Sequence, residues 1–272
     1  MVYTYEYNNT SGIITMTNED GQILAKGLFN PFKPSDIYNE ERLNIFIEVI
    51  ECIEDNTQEL KVCLVNEFIK QATIIKEAKP DLPVYLYHCC FAEDSSSISF
   101  YSSIEGFKHT EGMYSIHNKI TCLLNTSEIE GVKFQYLTLE ENQIHQLIDE
   151  QNKVFKSGYV YDDLIAIRNS EKWFSLSALY EDQIIGNIMI LIKEDEQGNI
   201  FAWIDDLFVK KEFRKLGVGQ ELVNRGLNRL YTMGISSCKL EVWSSNERAY
   251  SIYKKAGFEF LKETEVSIGM FL

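Results

Sequence analysis

Apolar residues recur along the second half of the chain at two distinct periods. Residues 132–140 alternate polar and apolar positions and predict a strand, whereas in 141–155 Ile144, Leu147, Ile148 and Phe155 fall at helical spacing. A second helical stretch covers 161–172. Two runs rich in β-branched and aromatic residues, 174–180 and 184–193, predict a hairpin turning at Glu181-Asp182-Gln183, and a turn at 194–199 leads into a third run, 200–209. A helix over 217–233 stopped by Gly234, a strand over 238–243, a helix over 246–256 stopped by Gly257 and C-terminal strand material complete the order. The resulting β-α-α-β-β-β-α-β-α-β pattern predicts an α/β fold, a mixed sheet with helices on both faces.

The first half repeats the later part of this order. A hairpin joins 12–17 to 22–29 around 18–21. A β-rich run at 43–53, a helix over 57–78, a strand over 83–91, a helix over 95–104 and a strand over 107–116 follow. Residues 100–107, with Tyr101, Gly106 and Phe107, read like 251–258, with Tyr253, Gly257 and Phe258. Each is a short helix with an inner-face aromatic, stopped by Gly and followed by Phe. An internal repeat of about 150 residues follows. The domains expected are 1–117 and 131–272, joined by a polar linker over 118–130. The first is truncated, since it lacks the two early helices of the second.

A length of 272 residues suits two domains. The formal charge is −15, with 9 Lys and Arg against 20 Asp and Glu in 1–130 and 17 against 21 in 131–272. No basic stripe exists to neutralise phosphates, so nucleic acid is not an expected partner. A negative field favours a small cationic substrate such as an amine, although solubility is the plainer reading. The six cysteines form no C-x-x-C pair, and no secretory leader pattern is read, so the expectation is reduced thiols in the cytoplasm. No apolar run is long enough to span a membrane, and the four histidines lack metal-ligand spacing. His88, Cys89 and Cys90 read as packing residues of a strand.

One segment carries chemistry. Arg214-Lys215-Leu216-Gly217-Val218-Gly219 stands between a β-rich run and an amphipathic helix. Glycines there let backbone N–H groups approach an anion, the helix start adds partial positive charge, and Arg214 and Lys215 add full charges. A P-loop fails because Gln220-Glu221 follows Gly219, and a dinucleotide fingerprint fails because Leu222 stands where a third glycine belongs. A plain glycine turn remains the competing reading.

The run from Ile204 through Asp205, Asp206, Leu207, Phe208 and Val209 to Gly219 resembles the signature of the GNAT N-acetyltransferase superfamily. So does the helix Asn246-x-x-Ala249-x-x-x-Tyr253-x-x-x-Gly257-Phe258. The resemblance covers essentially all of 131–272, and the first half resembles a degenerate copy, giving two GNAT-like domains, each a twisted mixed sheet with helices on both faces. Lys211 departs from the proline of many members, at a turn. The resemblance implies acetyl-CoA as donor and coenzyme A as product. It implies backbone groups of Phe208 and Val209 on the pantetheine arm, and backbone N–H groups of Leu216, Gly217, Val218, Gly219 and Gln220 on the pyrophosphate. It places Asn246 near the pantetheine and makes Tyr253 the acid that protonates the departing thiolate. Asp205 and Asp206, expected on opposite faces of the strand, are candidates for the base that deprotonates the amine, with Glu241 behind them.

The function expected is transfer of an acetyl group to a primary amine of a small cationic molecule or peptide, by direct attack in a ternary complex. The alternative is a non-catalytic acyl-CoA-binding module for regulation or assembly. In the first half the turn before the long helix reads Glu54-Asp55-Asn56-Thr57-Gln58-Glu59, without glycine and with three acids, so no coenzyme A is expected there. That half would cover a sheet edge, shape the acceptor pocket or form a homodimer contact.

Overall fold

The computed structural model describes residues 2–35, 37, 38, 40–53, 57–155, 158–170 and 172–272. The chain forms two compact units, one of residues 1–34, 38–113 and 263–272, the other of 35–37 and 114–262.

In the first unit β1 (Thr4–Asn8), β2 (Ile13–Thr17), β3 (Ile23–Phe32) and β4 (Leu43–Cys52) form an antiparallel meander. After α1 (Thr57–Ala78), β5 (Val84–Phe91) runs parallel to β4; α2 (Ser95–Ser102) and the first part of β6 (Lys108–Lys119) follow. The strand order here is β1-β2-β3-β4-β5-β12-β6, where β12 is the C-terminal strand Glu259–Phe271. Alternation buries Ile14 and Met16 of β2 on one side, where α1 lays down Leu60, Leu64, Val65, Phe68 and Ala72. Tyr101 of α2 joins the same cluster, so both helices cover one face of this sheet, and the segment ahead of β2 forms β1 rather than helices.

The second unit contains β7 (Val132–Leu137), α3 (Glu141–Val154), α4 (Tyr161–Asn169), β8 (Trp173–Tyr180), β9 (Gln183–Glu194), β10 (Ile200–Val209), α5 (Val218–Thr232), β11 (Ser237–Trp243) and α6 (Glu247–Lys255). The strand order is β12-β6-β11-β10-β9-β8-β7. Val218, Leu222, Val223, Leu227 and Leu230 form the buried stripe of α5, each contributing about 1.5–3 kcal/mol of burial. They pack with Tyr253 of α6 on one face, while Ile144 and Leu147 of α3 and Leu164 of α4 pack on the other. Helices on both faces are therefore found in this unit.

Elements match the sequence expectation to within a few residues, except β1, which was not foreseen. The compact units also differ from the sequential boundaries 1–117 and 131–272. Residues Glu265 to Phe271 of β12 pair antiparallel with Phe91 back to Tyr85, which places the C-terminal residues in the first unit. The stretch expected as a linker is held in the second unit. Leu124 N–H donates to Asn228 Oδ1 at 2.7 Å, Ser127 N–H donates to Glu221 Oε1 at 2.9 Å, and Arg225 Nη2 donates to Ser127 O at 3.0 Å. Alternation along a strand fixes which face each side chain takes and says nothing of which strand lies beside it.

Candidate active site

β10 and β11 are parallel but pair only at Ala202 with Cys238 and Trp203 with Lys239. β10 continues to Val209, so beyond Trp203 the side of it turned away from β9 has no strand partner among the described residues. Backbone donors and acceptors there are not used by the ladder. Within this stretch the register against β9 steps from Ile204–Ile190 to Asp206–Met189, making Asp205 the extra residue of a β-bulge. Before it, Ala202 and Ile204 face the α5 and α6 cluster; after it, Leu207 and Val209 do, and Phe208 turns to α3 and α4. The two acids therefore project to the same side, that of α3, which corrects the expectation of opposite faces.

Asp206 is half-buried and accepts from Gln151 Nε2 at 2.8 Å. Burial, with the neighbouring Asp205 charge, pushes its carboxyl up to about 7 against the lowering effect of the Gln151 amide and the Leu207 backbone. Asp205 is exposed and accepts from the Tyr159 hydroxyl. Gln151 also accepts from Tyr159 N–H at 2.7 Å. Next to it on α3, buried Glu150 pairs with Lys210 at 2.8 Å and Lys153 at 2.9 Å. Burial raises the Glu150 carboxyl, but the two ammonium groups outweigh it and hold it below the usual range. Glu241 is exposed on β11.

At the end of β10 a short 3-10 turn, Lys211–Phe213, leads into the α5 start. Lys215 and Gly217 take positive φ of 67° and 89°, with Leu216 between them. Turns of this kind point successive N–H groups into one concavity. Gly217 is the N-cap of α5 and supplies no side-chain cap, so Val218, Gly219 and Gln220 N–H have no intrahelical acceptor; the first helical bond is Glu221 N–H to Gly217 O at 3.0 Å. Arg214 Nε donates to Val209 O at 3.1 Å and ties the turn to the strand, while Lys215 is exposed. Orphan donors, a helix start and flanking cations fit a pyrophosphate. The Phe208 side chain is 2% exposed, which leaves its backbone as the part able to meet a ligand.

Asn246 is the N-cap of α6, its Oδ1 accepting from Ala249 N–H at 3.3 Å. Capping therefore explains its carbonyl, and its amide N–H₂ has no protein acceptor among the described residues. Tyr253 packs edge-on against Phe258, ring centroids 5.5 Å apart, and burial pushes its hydroxyl well above the usual phenol range, with Asp206 and Cys238 adding to the rise. Its hydroxyl has no hydrogen-bond partner among the described residues.

The first unit shows the same opening in a closed form. Among the described residues β4 and β5 pair from Leu43–Val84 to Phe46–Tyr87. Beyond that point His88 Nδ1 bonds Ile47 O at 2.9 Å, Val49 N–H donates to the Tyr101 hydroxyl at 3.1 Å, and the His88 ring stacks on Tyr101 at 4.0 Å. The strand edge is thus satisfied by the protein's own side chains. Replacing Tyr101 by Phe should leave Val49 N–H unpaired and cost about 1–3 kcal/mol, read as a lower denaturation midpoint. His88 is buried as expected, and Cys89 is half-buried with its thiol pushed up to about 12 by burial, which leaves no thiolate at neutral pH. Of the acidic turn read at 54–59, residues 54–56 lie outside the described residues.

Gln151 and Tyr159 escaped the sequence reading. The signal for Gln151 was present: it continues the Ile144 and Leu147 stripe of α3 at core-facing spacing, a polar residue where an apolar one belongs. Tyr159 carries no pattern of its own.

Residues 141–258 match the Acetyltransferase (GNAT) family. N-alpha-acetyltransferase 60 of Xenopus tropicalis is 33% identical over 110 residues, covering 34% of this chain and 46% of that protein. N-alpha-acetyltransferase 30 of Schizosaccharomyces pombe is 29% identical over 126 residues, covering 46% and 78%. The chain thus spans about half the length of the first of these relatives. The crystal structure of a GCN5-related N-acetyltransferase from Sphaerobacter thermophilus superposes with a TM-score of 0.52 over 96% of this chain and 81% of that one, at 17% identity, a likeness of fold. The likeness to the GNAT acetyltransferase family lies in residues 141–258 of this chain.

Proposed function

We propose that the chain is an acetyl-CoA-dependent N-acetyltransferase that transfers the acetyl group to a primary amine by direct attack within a ternary complex. The observation that carries this is the unpartnered edge of β10 beyond Trp203, ending at a helix start rich in unpaired N–H groups. Val218, Gly219 and Gln220 N–H, with Lys215 and Arg214 nearby, would hold the pyrophosphate, and the Phe208 and Val209 backbone would line the pantetheine arm and polarise the thioester carbonyl. Asp206, titrating near neutrality, is suited to take a proton from an incoming ammonium. The free amine then forms the C–N bond as the C–S bond breaks, the Tyr253 hydroxyl delivers a proton to the departing thiolate, and the second proton, shed by the new amide nitrogen, makes up the one that the phenol gave. Tyr253 stays protonated at neutral pH, and a thiolate in the same dry environment has its own proton affinity raised.

The acceptor class that the site supports is cationic, since Asp205 and Asp206 project together to the α3 side. Relatives named for N-alpha-acetylation make peptide amino termini one member of the class. The first unit is assigned no coenzyme A site. Its strand edge is filled by His88 and Tyr101, and the 610 Å³ cavity beside them sets Glu48, Asp94 and Glu265 against a single Lys61, the wrong charge for a pyrophosphate.

The test is thiol release from acetyl-CoA across a panel of small cationic amines and peptides. Tyr253→Phe is expected to lower kcat about 100-fold with the acetyl-CoA Kd unchanged. Binding of acetyl-CoA without release on any acceptor would favour a non-catalytic acyl-CoA-binding module instead.

A further inference from the structure

Gln151 is 3% exposed and sits on the core-facing stripe of α3, yet both ends of its amide are engaged. The Tyr159 backbone N–H can only donate, so it faces the Gln151 oxygen; the Gln151 N–H₂ therefore faces Asp206. The orientation of the amide is set by chemistry, and at Asp206 it can only donate. The same segment reaches the second acid, because the Tyr159 hydroxyl donates to Asp205. Gly158 lets the segment close this far: a Cβ there would overlap Gln151 Oε1.

We propose that Gln151 is the positioning residue of the amine-deprotonating step, aiming the Asp206 carboxylate and holding Tyr159 beside both acids of the bulge. The inference rests on the reading of Asp206 as the base. A donor fixed against Asp206 favours its charged form and opposes burial and the Asp205 charge, so the residue sets the pH at which the base becomes available. The ionisable groups around it are Asp205 on its own strand, Tyr159 from the α3–α4 connection and Tyr253 from α6. On α3, Glu150 is neutralised by Lys153 and Lys210, and Asp163 of α4 acts on Tyr159. None of these replaces the Gln151 amide as a donor to Asp206.

The experiment is the pH profile of kcat/KM for wild type, Gln151→Leu and Gly158→Ala, with acetyl-CoA Kd as the check on folding. In Gln151→Leu the limb that rises with pH should move up by about one unit, with roughly fivefold less activity at pH 7 and near recovery at pH 9. Gly158→Ala, which displaces Gln151 without altering it, should move the limb in the same direction by less. If Gln151→Leu loses activity equally at every pH with its limb in place, or Gly158→Ala leaves the limb unmoved, Gln151 only fills space and the proposal falls. If the limb is present in Asp206→Asn, the base is another group, and the reading of Asp206 fails along with it. An Asp206 limb that Gln151→Leu does not move overturns the positioning role alone.

Discussion

Replacing Asp206 by Asn should make the protein more stable at pH 8 while removing most of its activity. The folded-state carboxyl titrates near 7, above its unfolded value, so the folded protein holds the proton more tightly than the unfolded chain. Stability from that proton is fully present below about pH 4 and is lost as pH rises through 7. Above that, burying the charge costs about 2–4 kcal/mol, the upper end being the full shift and the lower allowing for partial solvent access. Asn keeps an acceptor for Gln151 and carries no charge, so at pH 8 the variant should melt several degrees higher, and at pH 4 the two proteins should coincide. Loss of a general base should lower kcat by about 10²–10⁴-fold. Thermal melts at the two pH values and the acetyl-transfer rate check both halves together. A variant that melts lower at pH 8, or that keeps its rate, would remove Asp206 from the mechanism. Stability traded in this direction at one residue is what a functional group forced into a half-buried site produces.

Much of this site was readable in the sequence because its parts follow local rules. The α5 start is announced by Gly217 and Gly219 ahead of a 3.6-period stripe, and Tyr253 by its place on the inner face of a short helix that ends at Gly257. What was missed depends on relations that a period cannot express. The bulge at Asp205 inserts one residue, and an alternation count carried through it assigns the wrong face to everything after it, which is how the two acids came to be placed apart. β12 alternates like any strand, yet its partnership with β5 is set by topology rather than by its own residues. β1 did show alternation, Tyr3, Tyr5 and Tyr7 standing among polar residues, but a short edge strand has too little buried surface to stand out. Gln151 was visible as a violation of the apolar stripe on α3, and such violations are where a site is to be sought.

Gly217→Asp is expected to weaken acetyl-CoA binding strongly while leaving α5 intact, and Gly217→Asn is the control that isolates the reason. At φ 89° only glycine is unstrained, but Asn and Asp are the side chains that best tolerate this region and are also good N-caps. Space is available, because the nearest heavy atom to a Cβ at this position is Ile129 Cδ1 at 4.0 Å. Both variants should therefore fold, with melting temperatures close to each other. They differ in charge. An Asp carboxylate would accept from the N–H groups of Gly219 or Gln220 and place a negative charge where the pyrophosphate must sit. Like charges about 4 Å apart at a protein surface repel by up to about 4 kcal/mol, and exposure at Gly217 reduces this to about 2. That corresponds to a Kd raised about 30-fold for Asp, against a few-fold for Asn, which competes for the donors without the charge. Wild-type binding should weaken as salt is added, and Gly217→Asp should show less of this dependence. Equal, small effects from the two substitutions would mean that the anion lies elsewhere and that the glycine turn only starts a helix.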